Sequence, residues 1–170
     1  EEQVASSASL SLSPTFHSLS IRLHRFVVSQ MIAQFGQGGI ALPDQSLYFN
    51  NSDMLSLYRQ TMEQMFSLLG LSSSDAAAAA SSALMMETML ASWSLSDDAL
   101  FSPYATYHRL DLSGLAKITP DMDWAAYQSV TGAFDLINVL EPTFFGNVSA
   151  GLFANSSITM QDWSYYLTWE

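Results

Sequence analysis

Apolar residues recur at three- and four-residue steps along one long stretch of the chain. Met54, Leu55, Tyr58, Met62, Met65, Phe66 and Leu69 form this stripe, which predicts an amphipathic helix. Asn51 or Ser52 is placed to cap its start, Asp53 suits the positive end of the helix dipole, and Gly70 suits the C′ position. The methionines on the stripe read as core packing rather than as a methionine-lined binding groove. A second helix starts at Ser72–Asp75, gains propensity from Ala76–Ala80, and continues through Leu84, Met85, Thr88, Met89, Ala91 and Trp93. The short turn between them predicts a helical hairpin, and the alanine run lets another helix approach closely. Glu87 interrupts an apolar run in the second helix. It either points to solvent or is buried beside a donor; a paired structural carboxylate is the preferred reading.

Elsewhere the pattern predicts shorter elements. Phe16 to Phe26 reads as a helix, while Val27 to Phe35, with its β-branched Val27, Val28 and Ile32, suits either helix or strand. Ser94 to Tyr104 reads as a loop. Leu110 to Ile118 reads as a short helix with Asp111 near its N-cap, and Asp121 is placed to cap a helix over Met122 to Val130 that carries Trp124 and Tyr127 on one face. Phe134 to Leu140 reads as a strand. Pro142 then suits the first position of a helix running to about Phe153. Ser157 or Thr159 caps the last helix, with Asp162 three residues after Thr159 as in a capping box. Residues 1–15 are Ser/Ala-rich and are expected to be disordered, leaving 16–170 as one mainly α-helical domain with one or two short strands.

One stretch has its backbone chemistry tightly dictated. Gly36, Gly38 and Gly39 allow unusual dihedrals or close approach, Pro43 fixes its own φ and extends Leu42, and Asp44 can close a turn through its side chain. It leads into the helical body. Its glycines lack the third glycine and the βαβ context of a nucleotide loop.

Composition narrows the function. Apolar residues make up 49% of 170, enough for a sizeable core, and charged residues only 12%. The formal net charge is −11, from 16 acidic and 5 basic residues, with Lys117 the lone lysine. This argues against nucleic acid or an anionic membrane surface as partner. With no cysteine, disulfides and thiolate chemistry are excluded within these residues, and no run is long enough for a membrane span. The chain opens on Glu1-Glu2 and closes on an aromatic helix ending at Glu170, so it reads as a piece of a longer polypeptide. His17 and His24 are seven apart and could share a helix face, but no carboxylate at a suitable spacing joins them; they and His108 read as surface or capping residues. Asp97-Asp98 and Asp121/Asp123 read as caps and solvated loops, and no Gly-x-Ser-x-Gly elbow occurs. Asn50, Asn147 and Asn155 each open an Asn-x-Ser tripeptide, a candidate N-glycan acceptor.

Several segments, in the same order, resemble the N-terminal helical lobe of the neprilysin-type zinc metallopeptidases, the M13 family. Gln37–Tyr48 (QGGIALPDQSLY, with Gly38, Gly39, Pro43 and Asp44) resembles the family's QGGLGLPDRDYY. Phe66–Gly70 (FSLLG) is similar to its ML-LLG helix end, and Leu84–Ala91 (LMMETMLA, with Glu87) to its ILxLETxLA helix. Tyr107–Leu115 (YHRLDLSGL) resembles YNKMTLAEL, and Ile118–Tyr127 (ITPDMDWAAY, with Trp124) resembles LAPxFDWxxY. Ile158–Trp169 (ITMQDWSYYLTW) resembles TPLxxWKxYLxW, and Leu23-His24-Arg25 echoes a family LHR segment. The family's Arg-Asp after the Pro-Asp is Gln45-Ser46 here, and its basic RRD after the Glu87-type helix is replaced by Ser94–Asp98.

The resemblance implies a full-length enzyme that cleaves peptides with zinc, is extracellular or membrane-anchored, and uses this segment to roof its active-site cavity. The family holds zinc with two histidines one helical turn apart, a glutamate base between them and a further glutamate ligand. No His-Glu-x-x-His occurs here, so zinc and the catalytic residues are expected beyond Glu170, none of them in this chain. The implied partners are the rest of the polypeptide and peptide substrates. A second class stays open: a non-catalytic helical interaction or assembly module that kept the M13 scaffold and lost the zinc site.

Overall fold

A computed structural model describes residues 20–23, 31–102 and 104–170. The expected disordered stretch 1–15, and His17 and His24, lie outside them. In chain order the elements are β1 (Ser20–Leu23), β2 (Met31–Phe35), α1 (Leu47–Asn50), α2 (Ser52–Leu68), α3 (Ser73–Trp93) and α4 (Asp97–Leu100). They continue as β3 (Arg109–Asp111), α5 (Leu112–Ile118), α6 (Trp124–Thr131), β4 (Leu136–Val139), α7 (Pro142–Val148), a π-helical turn over Ser149–Phe153, and α8 (Met160–Trp169). The domain is mainly α, as its sequence pattern predicts.

The α2/α3 hairpin follows from local chemistry. The Asn51 side chain accepts from Met54 N at 3.0 Å to start α2. At its end Gly70 adopts φ 96°, while Gly70 N and Leu71 N donate back to Ser67 O and Phe66 O. That is a Schellman closure, which only glycine enters without strain. Ser72 caps α3 by accepting from Asp75 N. Ala76, Ala79, Ala80 and Ala83 are all buried against Met62 and Phe66, so the alanine face is the contact that lets the two backbones approach. Of the methionine stripe, Met62 and Phe66 are core, Met54, Leu55 and Tyr58 are half-buried, and Met65 and Leu69 are exposed.

Among the described residues, four short strands form one sheet in the order β1-β2-β4-β3. The β1/β2 and β3/β4 pairs are antiparallel, and β2/β4 is parallel. The sequence pattern predicts one or two strands, because two of the four are visible only through their partners. Ser20–Leu23 falls inside the stretch expected to be helical. It is instead a strand, paired from Ser20↔Gln34 to Leu23↔Met31. A non-local ladder here overrides local helical preference. Leu110 likewise belongs to β3, opposite Ile137, and α5 begins only at Leu112 with Asp111 accepting from Gly114 N at 2.6 Å.

Three further expectations need correction. The helix after Pro120 starts at Trp124 and is capped by Asp123, which accepts from Ala126 N at 2.9 Å. Asp121 is drawn away from capping by the Ser149 hydroxyl, which donates to it at 3.0 Å. The helix from Pro142 does not run as α-helix to Phe153; it passes into a π-turn at Ser149. Gly151 in that turn lies so close to Trp93 that an added Cβ would sit 2.3 Å from its Cη2. The loop from Ser94 also contains the one-turn helix α4.

The main core gathers at Phe35, the last residue of β2, which is fully buried. Its ring stacks on Trp124 and Phe145 at 5.6 and 5.9 Å between centroids. Tyr127 and Phe134 meet it edge-on, each at 5.7 Å. Each such pair adds about 1 kcal/mol beyond its area. This aromatic cluster anchors the sheet to α6 and α7, and fixes where the chain leaves β2.

Candidate functional site

The chain leaving β2 is the Gln37–Tyr48 stretch, and it runs across the C-terminal end of α3. Gln37 grips Leu95 twice: its amide nitrogen donates to Leu95 O at 2.8 Å, and its amide oxygen accepts from Leu95 N at 2.7 Å. Gly39 takes φ 82°, a left-handed conformation that a β-carbon would strain. Its carbonyl accepts the Tyr166 hydroxyl of α8 at 2.9 Å. Asp44 closes a turn by accepting from Ser46 N at 2.7 Å, and hydrogen bonding from the Ser46 side chain first, then its backbone, holds the carboxyl below the usual range. Pro43 is exposed, Gly38 half-buried. The Gln45 amide nitrogen, turned to satisfy its neighbours, donates to Ala91 O and Ser94 O at 2.8 and 3.0 Å.

Beneath this strap lies Glu87, fully buried in α3. Tyr48, at the end of the strap, donates its hydroxyl to Oε2 at 2.8 Å. The Tyr58 hydroxyl of α2 lies 3.0 and 2.8 Å from Oε1 and Oε2. The indole nitrogen of Trp169, near the end of α8, donates to Oε1 at 2.9 Å and also lies 2.9 Å from the Tyr58 hydroxyl. Leu42 N in turn donates to the Tyr48 oxygen at 3.1 Å. One carboxylate therefore ties the strap, the hairpin and the last helix together. Burial raises the Glu87 pKa against the lowering effect of these donors, and burial also raises Tyr48 and Tyr58. Glu170 shares a hydrogen bond with Glu87. Burial first, then the Glu87 charge, pushes Glu170 up to about 7.

A second buried carboxyl lies under the strap's other end. Glu141 is 4% exposed and its Oε2 accepts from Gln37 N at 3.0 Å, whereas its Oε1 has no hydrogen-bond partner. Burial raises its pKa. Sequence reasoning does not single out this residue; the signal is a carboxylate set between an apolar strand and a proline-started helix. Nor does it single out the donors Tyr48, Tyr58 and Trp169, although Tyr58 stands on the apolar stripe where a buried hydroxyl needs a partner.

The other sequence-selected residues lie apart. Trp124 is buried in the main core, its indole nitrogen donating to the Thr119 hydroxyl at 2.8 Å. Asn50 ends α1 in an exposed position, Asn147 is half-buried within α7, and Asn155 follows the π-turn. His108 places Nδ1 3.1 Å from Val139 O. Among the described residues no group of three or more His, Cys, Asp or Glu could hold a metal ion. The donor set at Glu87, phenol and indole, does not suit zinc. No helix among them is long and apolar enough to cross a membrane.

The sequence profile of peptidase family M13 matches residues 1–170. The chain belongs to peptidase family M13. This M13 chain is 29% identical over 133 residues to Neprilysin-3 of Drosophila melanogaster, covering 71% of the chain and 17% of that protein. It is 31% identical over 113 residues to Endothelin-converting enzyme-like 1 of Homo sapiens, covering 63% and 14%. Its fold matches the Mycobacterium tuberculosis zinc metalloprotease ZMP1 in its open state. The TM-score is 0.82 at 21% identity, over 90% of this chain and 24% of that one. It matches PepO of Lactobacillus rhamnosis with a TM-score of 0.68 at 16% identity, over 92% and 25%. The M13 chain thus spans under a fifth of these curated relatives and about a quarter of these solved structures. The strap and the Glu87 helix are two of the segments whose motifs carry the resemblance, and the fold brings them into contact.

Proposed function

We propose that these residues are the N-terminal part of a secreted or membrane-anchored zinc metallopeptidase that cleaves peptides, and that they form a rigid wall over its active-site cavity. The observation that carries this reading is the Glu87 node. It joins three segments far apart in sequence, so the strap, the hairpin and α8 move as one body. A wall that screens substrates by size needs such rigidity, because a yielding wall would admit larger chains. Zinc would be held by residues outside this chain, and none of the residues here performs a step of the hydrolysis. Membership of family M13 and the fold shared with the zinc metalloprotease ZMP1 support the reading.

The test is peptide hydrolysis by the full-length protein, with and without a chelator, on short peptides and on a long unfolded chain carrying the same cleavage sequence. The expected result is chelator-sensitive cleavage that prefers the short peptides. Absent or chelator-insensitive cleavage would overturn the metallopeptidase reading and leave a helical interaction module on an M13 scaffold. Equal cleavage of short and long chains would overturn the wall.

A further inference from the structure

The three Asn-x-Ser tripeptides sit in different structural settings, and those settings sort them. We infer that Asn50 and Asn155 carry N-linked glycans in the folded protein and that Asn147 does not. The inference rests on the secreted or membrane-anchored reading above. The chemistry needs an accessible carboxamide nitrogen and a hydroxyl two residues on. That nitrogen attacks the anomeric carbon of a lipid-diphosphate-linked oligosaccharide and forms the C–N bond. The bond from that carbon to the diphosphate oxygen breaks, the lipid diphosphate departs with the electron pair, and the proton given up by the amide nitrogen passes to solvent.

At Asn155 the side-chain oxygen accepts from Ser157 N at 3.0 Å, an Asx turn. The turn occupies the carboxamide oxygen, not the nitrogen that takes the sugar. Asn155 is half-buried, as Asn147 is, but it lies between the π-turn and α8 outside any helix, and Ser156 and the hydroxyl-bearing Ser157 are both exposed. At Asn50 the acceptor ends α1 and the hydroxyl residue Ser52 opens α2, both exposed. The intervening Asn51 caps α2. A glycan on either residue projects from a junction between helices and displaces no packed side chain.

Asn147 is the contrary case. It stands inside α7, half-buried, and the residue that supplies its hydroxyl, Ser149, is fully buried. The Ser149 oxygen accepts from Asp121 N at 3.1 Å and donates to the Asp121 carboxylate at 3.0 Å. Its neighbour Val148 belongs to the main core. Glycan transfer acts on chains before they finish folding, so a sugar at Asn147 would have to be carried into the packing of α7. Chains bearing it would fail to reach the folded, exported pool.

The experiment expresses the full-length protein in a eukaryotic host behind a heterologous secretion signal, which separates glycan acceptance from the protein's own route. Secreted material is deglycosylated enzymatically in heavy-oxygen water, which marks each occupied Asn as a labelled Asp, and mapped by peptide mass spectrometry. Label at Asn50 and Asn155 with none at Asn147 is expected. Ser157→Ala should abolish label at Asn155 alone, with secretion unchanged. Label at Asn147 in secreted protein, or an unlabelled Asn50 or Asn155, overturns the inference. Locating the full-length protein expressed from its natural reading frame tests the secretory reading independently.

Discussion

The Tyr58 hydroxyl lies within hydrogen-bond distance of both oxygens of Glu87, at 3.0 and 2.8 Å, across the interior of the α2/α3 hairpin. An apolar stripe residue thus supplies the donor that lets a carboxylate stay buried one helix away.

Removing either partner should be costly, and unequally so. Tyr58→Phe deletes one donor while Tyr48 and Trp169 still serve Glu87. A loss of roughly 1–3 kcal/mol is expected. Glu87→Ala removes the shared acceptor of buried Tyr48 and half-buried Tyr58 and Trp169 at once and should cost roughly 3–5 kcal/mol. Urea unfolding of both variants and the double variant checks this. If the two losses simply add, Tyr58 and Glu87 are not coupled.

Glu141 gives a pH dependence of definite sign. Burial raises its folded pKa above the ordinary value, so the folded state holds its proton more tightly than the unfolded chain does. That contribution is fully present at pH below the ordinary carboxyl value and is lost as pH rises through the raised one. Glu87 and Glu170 have the same sign, and for Glu170 the window runs from 4.5 to about 7. Glu141→Gln keeps an acceptor for Gln37 N without a charge to desolvate. It should flatten the fall in melting temperature as pH rises above the ordinary carboxyl value and raise stability on the high-pH side. A variant as pH-sensitive as the parent would show that Glu141 keeps no raised pKa.

Gly151 should tolerate no side chain. An alanine Cβ would sit 2.3 Å from Trp93 Cη2 and 2.5 Å from its Cζ2, so the indole would have to move out of its packing. The expected cost is roughly 1–3 kcal/mol. Trp93→Leu in the same chain should recover part of it. Thermal unfolding of the single and double variants reads both effects, and an unchanged melting temperature for Gly151→Ala would refute the close packing.

Much of this chain is legible from the order of its residues. The Asn51, Ser72, Asp111 and Thr159 caps, the Gly70 ending, the helical hairpin and Pro142 at a helix start all rest on groups one to five residues apart. Such contacts depend on local geometry alone, so spacing reveals them. The ordered motifs that place the chain in family M13 are likewise properties of the string.

Tertiary structure decided what depends on distance along the chain. Ser20–Leu23 is a strand because Met31–Phe35 pairs with it, which no local period announces. Asp121 yields its expected capping role to Asp123 because Ser149, 28 residues on, reaches it. The local pattern leaves Glu87 between solvent and core because its donors lie 29, 39 and 82 residues away. Sequence alone determines which residues can cap, turn or pack; only the closed fold determines which buried charge meets which distant donor. A carboxylate can stay buried only where such donors converge, and convergence belongs to the three-dimensional arrangement.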